Sequence, residues 1–420
     1  MVDQTIKPGY KKTEIGTIPE EWEIANISKS SLLKGRIGWH GLTTKEYLKN
    51  GNYYLVTGTE FKEGGIDWLK CNYVSKERYD QDTYIQLQIN DILVTKDGTI
   101  GKVAFVDSLP LPATLNSGVF VLRPLTKSYA QKFFYYILQS QYFKKFIGML
   151  KAGSTISHLY QYSFNNFIFP MPPESEQKKI AKILSDTDFL IESLEKLITK
   201  KKNIKRGLMQ TVLTKGIEHT RFKMTEIGEI PEDWAVKNLG NKEVSTIKMG
   251  QSPSSATYNK TRNGLPFLQG NAEFGFKYPS TSTYCSSPLE TASLGDILIS
   301  VRAPVGDVNV ANSEYCIGRG LAAIQPNQKS TDSSFLYYML NHLKPSLERV
   351  STGSTFKAIG KEQLHFQRIP FPPLPEQQKI SRILSDADKE IEALEQKRDK
   401  YKLLKAGMMQ QLLTGGIRVK

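Results

Sequence analysis

Phosphoryl transfer, methyl transfer and hydrolysis each require particular residue types at particular spacings. The segment GTIGKV at 98–103 brings glycines and a lysine together as a phosphate-cradling loop does, but it lacks the six-residue frame and the Ser or Thr that ligates the metal. A turn between strands is the simpler reading. Methyl transfer to a base amino group would need Asn or Asp before Pro-Pro and an aromatic residue, with a glycine-rich cofactor loop; PPES at 172 and PPLP at 372 supply neither. Nuclease chemistry needs acids gathered round a metal, whereas the acids here alternate with lysines along two periodic segments, the pattern of a solvated helix face. Cys71, Cys285 and Cys316 and the five histidines have no metal-ligand or nucleophile spacing, and the cysteines read as reduced and structural.

Cations among glycines remain. In LLKGRIGWHG (32–41), Lys34, Arg36 and His40 stand beside glycines that let backbone approach a ligand closely, and Lys96 and Lys102 flank a turn. IKMGQSPSSATYNKTRNG (247–264) offers Lys248, Gln251, Ser252, Lys260 and Arg262, while Arg302 and Arg319 follow strand-like runs. Ser154 and Thr155, and again Ser354 and Thr355, lie in repeated GST triplets able to donate to phosphate or to form a turn or helix cap. Such residues suit a polyanion, with phosphate positioning and base readout kept distinct. The whole chain agrees: 56 Lys and Arg against 42 Asp and Glu leave a formal charge of +14 over 420 residues. The lysines form no cationic amphipathic face, no run approaches the ~20 apolar residues that span a bilayer, and the first residues have no apolar signal core, so a cytoplasmic protein is expected.

What must position these loops is a duplication. PPESEQKKIAKILSDTDFLIESLEKL (from 172) returns as PPLPEQQKISRILSDADKEIEALEQK (from 372), and over 172–217 against 372–417 there are 25 identities in 46 positions. TEIGTIPEEW (13–22) likewise returns as TEIGEIPEDW (225–234). Each half therefore runs from an opening motif through a divergent domain to a repeated segment. That segment is a helix: apolar residues recur at steps of three and four, Pro375 suits a first turn beside Glu376, and Gly216 and Gly416 follow the last apolar positions as stops. A stripe this narrow over about 40 residues, or ~60 Å, needs a partner helix. The connectivity predicts an antiparallel coiled-coil pair with pseudo-two-fold symmetry and a globular domain at each end.

The globular stretches, 1–171 and 218–371, read as mixed α and β, with spacer helices over 172–217 and 372–420. Strands are expected at 53–58, 91–95, 102–106, 118–124, 265–270, 296–301 and 322–326. Aromatic helices are expected at 128–148 and 333–350, with their Tyr and Phe in the cores. The fold class is thus α+β: two mixed α/β domains separated by two long helices.

The helix-start motif PPLPEQQKISRILSDAD, MMQQLLTGGI, TEIGEIPEDW and GSTFKAIGKEQLHFQRIPFPPLPEQ together resemble the specificity subunit of Type I restriction-modification systems, over essentially the whole chain. The resemblance implies that each divergent domain is a target recognition domain reading one half of a bipartite, asymmetric site in double-stranded DNA. It implies that the repeated helices space the readers and dock two modification (methyltransferase) subunits, and through them restriction subunits. S-adenosylmethionine, ATP and Mg2+ would then act on those partners, with no cofactor or metal on this non-catalytic chain. Two other readings compete: a free-standing DNA methyltransferase or nuclease with a diverged active site, and a coiled-coil scaffold that never touches DNA.

Overall fold

The computed structural model describes residues 7–36, 42–125, 128–152, 158–352 and 358–419. The chain forms two compact units: one holds the chain up to Ser193 together with everything from Lys397 on, the other holds Leu194–Gln396. Both cuts fall inside the two long helices, Glu174–Thr214 and Leu374–Leu412. Each unit therefore owns one end of each helix.

In the first unit a four-stranded antiparallel sheet runs in the order Val103–Phe105, Ile92–Thr95, Val119–Pro124, Ser31–Gly35. A second sheet pairs Tyr54–Val56 in parallel with Ala113–Leu115 and antiparallel with Asn72–Tyr73. Ile92, Val94, Phe120 and Leu122 are buried in one core with Phe133, Phe134, Tyr136 and Ile137 of the helix Gln131–Gln139, and Leu93, Val119 and Val121 in another with Val56 and Leu115. Both faces of the central strands are thus covered, and their sequence is continuously apolar rather than alternating. The aromatic helix expected over 128–148 breaks at Ser140 into two, Gln131–Gln139 and Gln141–Ala152. Ser140 is extended there, its Oγ accepts from the Tyr142 N–H at 3.2 Å, and it thereby caps the second helix as the first ends.

The second unit repeats the plan. Its four-stranded antiparallel sheet is ordered Ser245–Met249, Leu321–Pro326, Ile297–Ser300, Val308–Val310, and a five-stranded sheet pairs Leu265–Leu268 in parallel with Tyr315–Ile317. Its aromatic helix, Ser333–Thr352, is continuous and buries Phe335, Leu336, Tyr338 and Met339.

The long helices enter both cores. Ile180, Leu184, Leu412 and Leu413 lie in the first unit's core, and Val212, Leu213, Ile380 and Leu384 in the second's. Within each unit the two segments run antiparallel, tied by Lys405 to Asp188 at 2.6 Å in the first, and by Lys205 to Asp388 and Lys202 to Glu395 in the second. Pro375 sits in the first turn of its helix. Gly216 takes the left-handed φ of +69° after the first helix, but after the second it is Gly415, at +73°, and not Gly416.

The residues repeated between the copies do the same work in both units. Gln177 accepts from the Ala130 N–H at 2.8 Å and donates to Pro172 O; Gln377 accepts from the Asp332 N–H at 2.9 Å and donates to Pro372 O. Each buried carboxamide thus fastens the start of an aromatic helix to the start of a long one. Asp188 accepts from Tyr136 Oη at 2.8 Å and Asp388 from Tyr338 Oη at 2.7 Å, each meeting a lysine of the other long helix as well. Trp22 Nε1 donates to Glu176 at 3.0 Å and Trp234 Nε1 to Glu376 at 2.8 Å, so the tryptophan of each opening motif reads the first turn of its own half's helix.

Candidate nucleic-acid interface

Two parallel neighbouring strands deliver the loops that follow them to the same edge. In the second unit these are Gln269–Gly270–Asn271 after Leu265–Leu268 and Gly318–Arg319–Gly320 after Tyr315–Ile317. Two more loops close onto them. After Ser245–Met249, Gln251 N–H donates to Ile317 O at 3.0 Å and Gly250 N–H to Leu321 O at 2.9 Å; after Ile297–Ser300, Val301 N–H donates to Gly320 O at 2.9 Å. The crossing is so close that a Cβ on Gly250 would stand 2.2 Å from Gly318 O, and one on Gly320 2.6 Å from Gln269 O. Only glycine permits this approach of backbone to backbone. Ser252 ties the edge together, its Oγ accepting from the Arg319 N–H at 3.1 Å and from Gln269 Nε2 at 3.3 Å. Gln251, Gln269, Arg302 and Arg319 are exposed there.

The first unit uses the same frame with other side chains. Thr57–Gly58–Thr59 follows Tyr54–Val56, Asn116–Ser117–Gly118 follows Ala113–Leu115, and Lys96 N–H donates to Gly118 O at 2.8 Å where Val301 meets Gly320 in the second unit. Buried Glu60 fixes the first of these loops, accepting from the N–H groups of Thr57 and Gly58 at 3.0 Å each. The loops after Ile92–Thr95 and Ile297–Ser300 bridge back to Asp97–His158 and Arg302–Ala358 respectively. In the first the bridge carries a hydrogen bond between His158 Nδ1 and the Asp97 carboxylate; in the second Arg302 faces alanine. His158 continues into an exposed aromatic ladder, its ring centroid 4.7 Å from that of Tyr160, which stacks on Tyr162 at 5.4 Å.

Of the residues singled out in the sequence, the edge gathers Gln251, Ser252, Arg302 and Arg319 in the second unit, and Lys96 in the first. Lys96 is half-buried with its ammonium 4.7 Å from the Phe120 ring centroid, and burial lowers its pKa. Lys102 is exposed at the far side of the turn that Lys96 opens. Lys34 and Lys248 occupy matching strand positions, opposite Val121 and Ala323, and the Lys34 ammonium lies over Tyr84. Lys260 and Arg262 are exposed in the turn that precedes Leu265–Leu268, at the other end of that strand from Gln269. Arg36 is placed differently from the exposed loop cation expected of it. It is 1% exposed, and its guanidinium donates to Leu115 O at 2.8 Å, to Gln81 Oε1 at 3.2 Å and to Thr114 Oγ1 at 3.3 Å, with burial lowering its pKa. It occupies the role of the Gln251 N–H in the other unit, satisfying the carbonyl at the end of the parallel strand. His40, Ser154, Thr155, Ser354 and Thr355 lie outside the described residues.

Thr57, Thr59, Asn116, Ser117, Gln269 and Asn271 were not singled out from sequence. The available signal was a polar residue beside glycine directly after an apolar run, in YYLVTGT and LPFLQGN, which reads as an ordinary strand end. The three cysteines are buried and unpaired, and burial pushes the Cys71 and Cys316 thiols up to about 12, as suits packing residues. One cluster among the described residues has metal-ligand types: His219, Asp233 and Glu376. His219 Nε2 is hydrogen-bonded to Glu376 at 2.7 Å, and on the matching Glu176 the place of His219 is taken by Arg418, at 2.8 Å. In both units the first-turn glutamate is thus held by a side-chain nitrogen from just past the end of a long helix.

Two units on one frame, with loop edges that differ in chemistry, define a duplicated recognition protein. The chain belongs to the family described as Type I restriction modification DNA specificity domain, whose profile matches residues 35–206 and 231–402. It is 41% identical, over 98% of its length and 97% of the other's, to a Methanocaldococcus jannaschii protein named as the putative type I restriction enzyme MjaX specificity subunit. It is 30% identical, over 96% and 94% of the two lengths, to the MjaVIII specificity subunit of the same organism. Among solved structures, a chain from work on complex assembly and conformational transition of the type I R-M system matches with a TM-score of 0.61 at 27% identity, over 95% of this chain and 99% of that one.

Proposed function

We propose that this chain is the non-catalytic DNA-specificity subunit of a Type I restriction-modification complex, and that the loop edge of each unit reads one half of a bipartite, asymmetric duplex site. The carrying observation is the common frame with unlike side chains: Thr57, Thr59, Asn116 and Ser117 in one unit, Gln269, Asn271, Arg302 and Arg319 in the other. A shared frame keeps the approach to the duplex constant while the groups that meet base edges differ. Residues 1–171 and 218–371 act as the two readers, and 172–217 and 372–420 as the spacers that also dock modification subunits. The docking role draws support from identities on the exposed face of both copies, where core packing does not dictate the residue: Lys179 and Lys379, Lys200 and Lys400, and Gln210 and Gln410. A duplicated surface suits two copies of one partner. Restriction subunits join through the modification subunits, and S-adenosylmethionine, ATP and Mg2+ act on those partners.

The test is exchange. When residues 1–171 are replaced by the corresponding reader of a relative and the chain is assembled with its modification subunits, methylation mapping gives a site with one new half and one unchanged half. Loss of both halves would refute independent readers. The isolated chain is expected to incorporate no methyl label from S-adenosylmethionine.

A further inference from the structure

The loop Gly318–Arg319–Gly320 is held firmly by its backbone. Gly318 N–H donates to Leu268 O at 2.8 Å, Leu321 N–H closes the turn onto Gly318 O at 3.0 Å, and Gly320 O accepts from Val301. The Arg319 N–H itself donates to Ser252 Oγ at 3.1 Å. Its side chain, by contrast, is exposed and carries no hydrogen bond or ion pair among the described residues. A fixed backbone with a free guanidinium is the arrangement that fork-shaped recognition of a planar acceptor pair needs, because little further ordering is required on contact.

The two units together say which acceptor. Phosphates are alike in every half-site, so a phosphate-binding cation should recur at the matching position of both frames. It does not: the residue at the tip of the corresponding turn, Asn116–Ser117–Gly118, is the uncharged Ser117. A residue that changes on an unchanged frame is placed to read what changes between half-sites, the base edges. Beside it, Gln269 presents a carboxamide steadied by the same Ser252 hydroxyl. Of the major-groove edges, only guanine offers the paired acceptors O6 and N7 that suit a guanidinium fork.

We infer that Arg319 is the residue with which the second unit selects guanine at one position of its half-site, with Ser252 positioning it. The inference rests on the proposed reading of the two units as DNA readers. The experiment uses the full chain assembled with its modification subunits, and a plasmid library of randomised duplex sites as the probe. The unaltered complex first defines the bipartite site; failure to methylate any such site would overturn the reader proposal itself, before Arg319 is considered. Arg319→Ala is then mapped on the same library, its thermal unfolding checked against the unaltered chain. The expected result is relaxation of one guanine position in one half-site, with discrimination there falling about 10- to 100-fold and the other half unchanged. Uniform weakening at every site, with the slope of log affinity against log salt reduced by about one, would make Arg319 a phosphate contact and overturn the inference, as would an unchanged site.

Discussion

Trp22 Nε1, the Arg418 guanidinium and the Val419 N–H all donate to Glu176, whose side chain is 3% exposed. Burial alone would raise its pKa, but the bonds from Arg418 and Trp22 outweigh it and hold the carboxyl below its ordinary 4.5. A carboxyl depressed in the folded state contributes stability above its unfolded pKa and loses it as pH falls through the folded value. Acidification from about pH 5 to below about pH 4 should therefore lower the melting temperature of the first unit. Glu176→Gln should melt lower at neutral pH by the equivalent of about 3 kcal/mol and show a shallower acid decline, measurable by calorimetry at several pH values. Arg36 supports a second prediction. Removing a buried guanidinium that satisfies Leu115 O and Thr114 Oγ1 leaves those groups unpaired, so Arg36→Ala should cost about 2 to 4 kcal/mol in denaturant unfolding, while leaving the salt dependence of DNA binding unchanged. At this scale the sequence was least legible. LLKGRIGWHG identifies a cation among glycines, but only the packing of the parallel strand's end decides whether that cation faces solvent or the interior.

The elements were far more legible, for a physical reason. Strands buried on both faces must be continuously apolar, and helices that enter two cores must keep an apolar stripe at each end, so both leave patterns that composition cannot hide. DILVT and DILISV, or KILSD and RILSD, are strands and helices in any context that buries them. Loops carry no such obligation. Gln269 and Thr57 reveal themselves only once the parallel pairing of Leu265–Leu268 and Tyr54–Val56 with later strands fixes where they emerge. The break at Ser140 was hidden likewise, because serine mid-helix and serine as a cap are the same letter. The repeated glutamines offer a test at this scale. Gln377→Ala removes the acceptor of the Asp332 N–H and the donor to Pro372 O and Ser330 O. It should cost about 2 kcal/mol and speed hydrogen exchange at the start of the helix Ser333–Thr352, leaving the first unit's exchange unchanged.

For the whole molecule the duplication carries the organisation, and the division into units sharpens its consequences. The first unit buries the start of one long helix with the end of the other, through Ile180, Leu184, Leu412 and Leu413, and the second buries the complementary ends through Val212, Leu213, Ile380 and Leu384. Lengthening a single helix therefore puts one end out of register with the partner segment it packs against. Four residues inserted after Ser193 alone should shift the pairing of Lys202 with Glu395 or force the new turn to loop out, and lower stability. Matched insertions of four residues after Ser193 and after Gln396, where the chain passes from unit to unit, leave every contact within each unit intact. Each adds about one helical turn and ~6 Å of rise. If the helices set the gap between half-sites, the doubly lengthened chain, assembled with its modification subunits, should methylate the same two half-sites separated by one or two more base pairs, since B-DNA rises ~3.4 Å per pair. Methylation mapping reads the outcome directly. An active complex with an unchanged gap would mean that the spacing is set elsewhere, whereas an altered half-site sequence would mean that the helices take part in readout.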